Sequence, residues 1–78
     1  MIFLIEYDRR RGLLVSLKSF HENDRQSAER ARLDLEIRLN SSGIEREVVL
    51  LEAATEHALR QTHRRYFESL KELGQPQN

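Results

Sequence analysis

The chain has 78 residues, with 13 basic and 13 acidic side chains and no cysteine. This length accommodates one small domain, and the lack of cysteine excludes disulfides as a source of its stability. The balanced charge excludes the overall basic excess of nucleic-acid-binding domains, and no run approaches the roughly 20 apolar residues of a membrane span. Small domains without such supports commonly gain stability by oligomerisation.

The first 20 residues predict a β-hairpin. The run from Ile2 to Asp8 is apolar on both faces of an extended chain and is followed at once by charged residues, which favours a central strand over a signal peptide. Residues 13–20 predict an edge strand, joined to the first by a turn in which Gly12 takes a positive φ. Strict alternation places Leu13, Val15 and Leu17 on one face and Leu14, Ser16, Lys18 and Phe20 on the other.

Residues 27–41 carry two competing patterns. A strand is indicated because apolar and polar residues alternate strictly, the apolar positions being Leu33, Leu35, Ile37 and Leu39. A helix is favoured by the many Ala, Leu, Glu and Arg residues and by the helical spacing of Arg32 and Glu36. We predict a helix that is capped by Asn23 with Gln26 and is terminated by Gly43.

The second half of the chain predicts one more strand and one more helix. Residues 44–53 form the strand, with Val48–Leu51 at its centre. Thr55 caps the last helix, which ends at Gly74 and leaves residues 75–78 as a disordered tail. The predicted fold is a single α+β domain over residues 1–74, in the order ββαβα. Its three-stranded antiparallel sheet has the order 2-1-3 and contains a split β-α-β unit.

No motif in the sequence indicates catalysis or a bound group. His57 and His63 project to nearly opposite sides of the predicted last helix, so they cannot share a metal ion. The glycines are turn or cap residues rather than a phosphate-binding loop, and no serine lies in a nucleophile motif. Glu6 on a central strand suits an ion pair with an arginine better than acid catalysis. We expect no enzyme activity, no cofactor and no metal.

Exposed apolar surface predicts self-association. The third strand lies at a sheet edge yet is apolar on both faces, and the first helix has a second apolar margin. The expected interface residues are Val48, Val49, Leu50, Leu51, Leu33 and Ile37. We therefore expect a small, non-catalytic, cytoplasmic interaction domain that forms a homodimer. A second protein is another candidate partner, and a membrane is not expected.

Two arginine clusters leave a different function open. Candidate phosphate contacts are Arg9, Arg10 and Arg11 at the hairpin tip, and Arg60 and Arg64 on the last helix. They would make the chain a nucleic-acid-binding or regulatory module. The alternative is a solvated surface in which Asp8 and Glu68 neutralise neighbouring arginines, and the zero net charge favours it.

The sequence resembles short uncharacterised bacterial proteins. The resemblance spans most of the chain and includes Glu6-Tyr7-Asp8, Val48–Leu51 and the pattern Glu52-Ala53-x-x-Glu56-x-Ala58-Leu59-Arg60-x-Thr62-His63-x-Arg65-Tyr66-Phe67. It implies a shared fold and a bacterial cytosolic setting, with no catalytic residue to transfer. The order hairpin–helix–strand also resembles that of HicB-like antitoxin domains, whose extra strand this chain lacks.

Overall fold

The computed structural model describes residues 1–68. Its strands are β1 (Ile2–Asp8), β2 (Leu13–Phe20) and β3 (Glu47–Glu52), and its helices are α1 (Arg25–Ser41) and α2 (Glu56–Thr62). The strands form an antiparallel sheet of order β2-β1-β3, so the predicted α+β fold and strand order are confirmed. The predicted helix end at Gly74 and the tail over residues 75–78 lie outside the described residues.

Strand β1 is central because it pairs with β2 on one side and β3 on the other, and both of its faces are covered. Phe3, Ile5 and Tyr7 pack with Leu59 of α2 and with Tyr66 in a core on one side of the sheet. On the other side lie the alternate residues of β1, and α1 contacts all three strands there. Every residue from Ile2 to Tyr7 is buried, which explains why this strand has no polar alternation.

The predicted faces of β2 are wrong, because the strand contains a β-bulge. Glu6 pairs with Ser16 but Tyr7 pairs with Leu14, so Val15 is an extra residue without a partner in β1. The bulge shifts the alternation by one residue and brings Leu14 to the same face as Leu17, where both pack on the core. Val15 stays exposed, at 46% of its maximum.

Helix α1 is confirmed over the strand alternative, and it begins two residues earlier than predicted. The expected capping box is wrong, because Asp24 is the N-cap and no side chain bonds there. A 3-10 helix over Glu22–Asp24 precedes it, and the His21 ring accepts a hydrogen bond from Asn23 N at its start. Gly43 has a φ of 68°, in the left-handed region that glycine adopts without strain.

Strand β3 is shorter than the predicted range of residues 44–53. Its first pair with β1 joins Glu47 to Tyr7. Pairing stops there because Asp8 begins the hairpin turn, in which its carbonyl accepts a hydrogen bond from Gly12 N at 2.8 Å. Gly12 has the predicted positive φ, at 64°.

Helix α2 ends at Thr62, and the prediction that it continues unbroken through Phe67 is wrong. Thr55 Oγ1 accepts a hydrogen bond from Ala58 N at 3.1 Å, as predicted for the N-cap. At the other end, His63 leaves the helical region (φ −125°, ψ 52°), and residues Arg64–Tyr66 form a 3-10 helix. Helical hydrogen bonds contribute about 1 kcal/mol each, so the buried contacts of Tyr66 described below can outweigh them.

Candidate functional site

The outer edge of β3 carries backbone groups that are unpaired within residues 1–68. Ala53 N donates to Met1 O at 3.2 Å, which makes these two residues a hydrogen-bonded pair of the antiparallel ladder. Hydrogen-bonded and non-bonded pairs alternate along such a ladder. In the observed register, the residues of β3 that point their N–H and C=O groups away from β1 are therefore Val48, Leu50 and Glu52. Within residues 1–68, no strand pairs with this edge.

The side chains of β3 are half-buried on both faces of the sheet. Val49 and Leu51 pack on the core that contains Phe3 and Ile5. Val48 and Leu50 lie on the opposite face, beneath α1, and both are of intermediate exposure. The four aliphatic residues at the centre of the predicted interface therefore lie together on one sheet edge. Leu33 and Ile37 lie apart from them on the outer surface of α1 and are 53% and 56% exposed.

The two edges of the sheet differ in how they discourage stray pairing. Strand β2 has the bulge at Val15 and carries Lys18, and both features disfavour pairing with another strand. Strand β3 has a regular register with β1 and contains neither lysine nor proline. Its charged residues stand only at its two ends, Glu47 and Glu52. As far as residues 1–68 are concerned, the edge of β3 is therefore the less protected of the two.

An arginine immediately before β3 anchors the strand on the α1 side. Arg46 NH1 donates to Glu6 Oε2 at 2.7 Å, and its Nε lies 3.8 Å from Asp8 Oδ2. Ser16 Oγ donates to the other Glu6 oxygen at 3.2 Å. Glu6 is only 8% exposed, so this arginine supplies the charge compensation that a buried carboxylate needs. The predicted ion pair of Glu6 with an arginine is thus confirmed.

Glu47 anchors the start of β3 on the opposite face. Its Oε2 accepts hydrogen bonds from the Tyr66 hydroxyl and, at 2.5 Å, from Arg65. Arg9 Nε lies 3.3 Å from Oε1 as an ion pair without a hydrogen bond. The Tyr66 ring packs edge-on against Tyr7, with ring centroids 5.2 Å apart. We call these five residues the Glu47 cluster.

The Glu47 cluster suits structure rather than proton transfer. Burial raises the pKa of Glu47, but the hydrogen bonds from Tyr66 and Arg65 and the nearby arginine charges outweigh burial, so the pKa is lowered. Burial, followed by the bond to Glu47, raises the pKa of Tyr66. General acid–base catalysis works best when the pKa lies near the working pH. Both pKa values move away from neutrality, so Glu47 stays ionised and Tyr66 stays protonated.

Two grooves flank the beginning of β3. One, of about 370 Å³, runs between the end of α1 and the strand and is lined by Glu36, Leu39, Asn40, Ile44, Glu45, Arg46 and Val48. The other, of about 290 Å³, lies at the hairpin tip and is lined by Arg9, Arg10, Glu45, Arg46 and Glu47. Arg46 contributes to both, and the first groove opens beside the unpaired edge of β3.

The hairpin arginines lie beside carboxylates. Arg9 pairs with Glu47, as described above. The backbone N–H groups of Arg10 and Arg11 donate to Asp8 Oδ1 at 3.0 and 3.1 Å, which ties the aspartate to the turn. The side chains of all three arginines are exposed.

The arginines of the last helical segment are also paired. Arg60 bonds to Glu56 at 3.0 Å and stacks on the Phe67 ring, 4.5 Å from its centroid. Arg64 lies 3.1 Å from Glu68, the partner predicted for it. The two arginine clusters therefore consist of ion pairs and exposed turn residues. Their role in nucleic-acid binding stays a prediction.

The histidines make local contacts. His21 caps the 3-10 helix that precedes α1, and His57 Nε2 lies 3.1 Å from Gln61 Nε2. His63 is half-buried and bonds to the Thr62 hydroxyl at 3.0 Å, as expected of a local structural contact. Over residues 1–68, no cluster of three potential metal ligands occurs. In the same part of the chain, no helix is both long and apolar enough to cross a membrane.

Sequence reasoning identified Glu6 and the aliphatic residues of β3 but missed the Glu47 cluster. In the sequence, nothing distinguishes Arg46 and Glu47 from the rest of the predicted strand, because their partners lie far away in the chain. Glu6 precedes Arg46 by 40 positions, and Tyr66 follows Glu47 by 19. One signal was present: Arg65 and Tyr66 belong to the sequence pattern that resembles the short bacterial proteins.

No family model, curated protein or solved structure matches this chain.

Proposed function

We propose that this chain is a small, non-catalytic interaction domain that forms a homodimer through the outer edge of β3. The observation that carries the proposal is the contrast between the two sheet edges. Strand β2 is bulged and carries a lysine, whereas β3 is regular and has an aliphatic centre. An unprotected edge favours pairing with another strand.

The half-buried side chains of β3 give such pairing a hydrophobic contribution. Full burial of a Val or Leu side chain contributes about 1.5–3 kcal/mol, and the four central residues of β3 have part of that contribution still to gain. The backbone groups of Val48 and Leu50 on the outer edge gain partners at the same time. A small domain without disulfides benefits most from this kind of support.

The electrostatics of the charged residues support a role without chemistry. Glu6 is held by Arg46, and Glu47 is held by Tyr66 and Arg65, so each partly buried carboxylate is committed to structure. We place the homodimer in a bacterial cytoplasm, the setting that the resemblance to short bacterial proteins implies, and a chain without cysteine is compatible with this reducing compartment.

Proline substitution tests the edge directly. Leu50→Pro removes an N–H that points away from β1, so the fold should persist, because proline is tolerated on an edge strand when its N–H faces outward. Ser19→Pro is the matched control on the β2 edge, since Ser19 also points its N–H away from β1. Leu50→Ala controls for the lost side chain.

Sedimentation equilibrium at micromolar concentration gives the readout, with circular dichroism to verify folding. We expect the natural chain, Ser19→Pro and Leu50→Ala to sediment as dimers and Leu50→Pro as a folded monomer. A natural chain that is a well-folded monomer at this concentration contradicts the proposal. A dimer that survives Leu50→Pro but dissociates with Ser19→Pro assigns the interface to β2 instead.

A further inference from the structure

The backbone of β3 restricts how two copies can pair through this edge. An isologous contact through one strand edge is antiparallel and has a two-fold axis. The outward-pointing residues of one copy must then lie opposite outward-pointing residues of the other, which are Val48, Leu50 and Glu52, with Arg46 next in the alternation. Registers that place an outward residue opposite an inward one are excluded. The excluded set contains the register that would oppose Glu47 to Glu52.

Two registers centred on the aliphatic residues of β3 remain, and each places the same number of Val and Leu residues opposite one another. In the first, Val49 lies opposite Val49 of the second copy and Val48 lies opposite Leu50. In the second, Leu50 lies opposite Leu50 and Val49 lies opposite Leu51. Glu47 faces Leu51 in the first register, whereas in the second Glu52 faces Val48 and Glu47 faces Ala53. The pairing of the Val and Leu residues alone therefore does not separate the two registers.

Charge separates the two registers. With Val49 on the axis, Arg46 lies opposite Glu52 of the second copy, and the symmetry makes this pair twice. Both side chains are on the α1 face of the sheet, where Arg46 lines the groove beside β3 and Glu52 is 62% exposed. With Leu50 on the axis, Arg46 lies opposite Ala54 and Glu52 lies opposite Val48. Opposite charges placed directly across two strands are stabilising.

We propose that two copies pair through antiparallel β3 strands with Val49 on the two-fold axis, and that Arg46 of each copy forms an ion pair with Glu52 of the other. This inference rests on the proposed homodimer and specifies its register. The two three-stranded sheets become one continuous sheet. Arg46 then forms two ion pairs, one with Glu6 of its own chain and one with Glu52 of the other copy.

Single cysteines test the register, since the natural chain contains none. Residues opposite each other at a non-hydrogen-bonded site have Cα atoms about 4.5 Å apart, within disulfide range, whereas residues displaced by two positions are about 8–9 Å apart, beyond it. Under mild oxidation, Val49→Cys should therefore form a covalent dimer and Leu50→Cys should not. Circular dichroism of the reduced variants verifies that both are folded.

A charge reversal gives a second readout. Glu52→Arg places arginine opposite Arg46 twice and should raise the dimer dissociation constant at least about tenfold. Within its own chain Glu52 forms one exposed ion pair, with Arg25. Glu22→Arg is the matched control, because Glu22 likewise forms one exposed ion pair, with the amino terminus at 3.3 Å, and lies outside β3. It should leave the dissociation constant within about twofold.

The outcomes separate the register from the dimer itself. Cross-linking of Leu50→Cys without Val49→Cys, or equal effects of the two charge reversals, overturns the register and leaves the homodimer in place. A dimer in sedimentation that neither cysteine cross-links also overturns the register. A natural chain that sediments as a monomer overturns both proposals.

Discussion

The Glu47 cluster offers a sharp test of what stabilises this fold. Tyr66→Phe removes a hydroxyl that donates to ionised Glu47 and accepts from Arg65 at 2.7 Å. A buried hydrogen bond to a charged group contributes about 1.5–3 kcal/mol. In a domain of this size, each kcal/mol shifts the melting temperature by about 4–8 °C. We therefore expect Tyr66→Phe to lower the melting temperature by about 6–24 °C at neutral pH.

Tyr7→Phe is the matched control. Tyr7 is as buried as Tyr66, at 8% and 6% exposure, and its ring packs against the Tyr66 ring. No hydrogen bond of the Tyr7 hydroxyl occurs within residues 1–68, so the same chemical change breaks no such bond and should cost less than the about 1.5–3 kcal/mol expected for Tyr66→Phe. Equal melting temperatures for the two variants would show that the hydrogen bonds of the Tyr66 hydroxyl contribute no stability.

The stability that Glu47 and Tyr66 contribute should depend on pH in a direction that their pKa shifts predict. The pKa of Glu47 is lower in the folded state than its ordinary value of 4.5, so the stability it contributes is present above that value and is lost as the pH falls through the folded pKa. The pKa of Tyr66 is raised above 10.0, so its contribution is present below that pH and is lost as the pH rises through the folded pKa. Urea unfolding at a series of pH values should show the difference between the natural chain and Tyr66→Phe shrinking in acid. A constant difference down to the pH at which Glu47 is fully protonated refutes this reasoning.

Two further predictions concern the arginines. Arg46→Met should destabilise the fold by about 3–5 kcal/mol in urea unfolding, because it leaves the buried Glu6 carboxylate without its cation. Arg25→Met, which breaks an exposed pair with Glu52, should change stability by less than about 1 kcal/mol; equal costs would contradict the role given to Arg46. We also expect no nucleic-acid binding beyond the weak non-specific level at physiological salt, since the candidate phosphate contacts are ion-paired or exposed turn residues. Submicromolar, salt-sensitive binding in a titration would instead favour a nucleic-acid-binding module based on Arg9, Arg10, Arg11, Arg60 and Arg64.

The sequence alone determined the elements whose signals are local. The apolar run of β1 requires cover on both faces, and that requirement alone placed the strand at the centre of the sheet. Thr55 and the glycines at positions 12 and 43 were predicted correctly because caps and turns depend on a few neighbouring residues. The apolar centre of β3 was also evident, and with it the candidate interface.

Other features depend on partners far away in the chain and follow from how the elements pack. The bulge at Val15 exists because it brings Leu14 onto the core beside Leu17, a gain that the alternation within β2 cannot reveal. Helix α2 stops at Thr62 although the apolar stripe continues, and the chain beyond it places Tyr66 on Tyr7 and Glu47. The bulge and the end of α2 at Thr62 each change the free energy of folding by only about a few kcal/mol. Whether each change is favourable depends on contacts between residues far apart in the chain. Local patterns therefore predicted that β3 is an apolar edge strand. The tertiary structure determines which ion pairs anchor β3 and which of its backbone groups point away from β1.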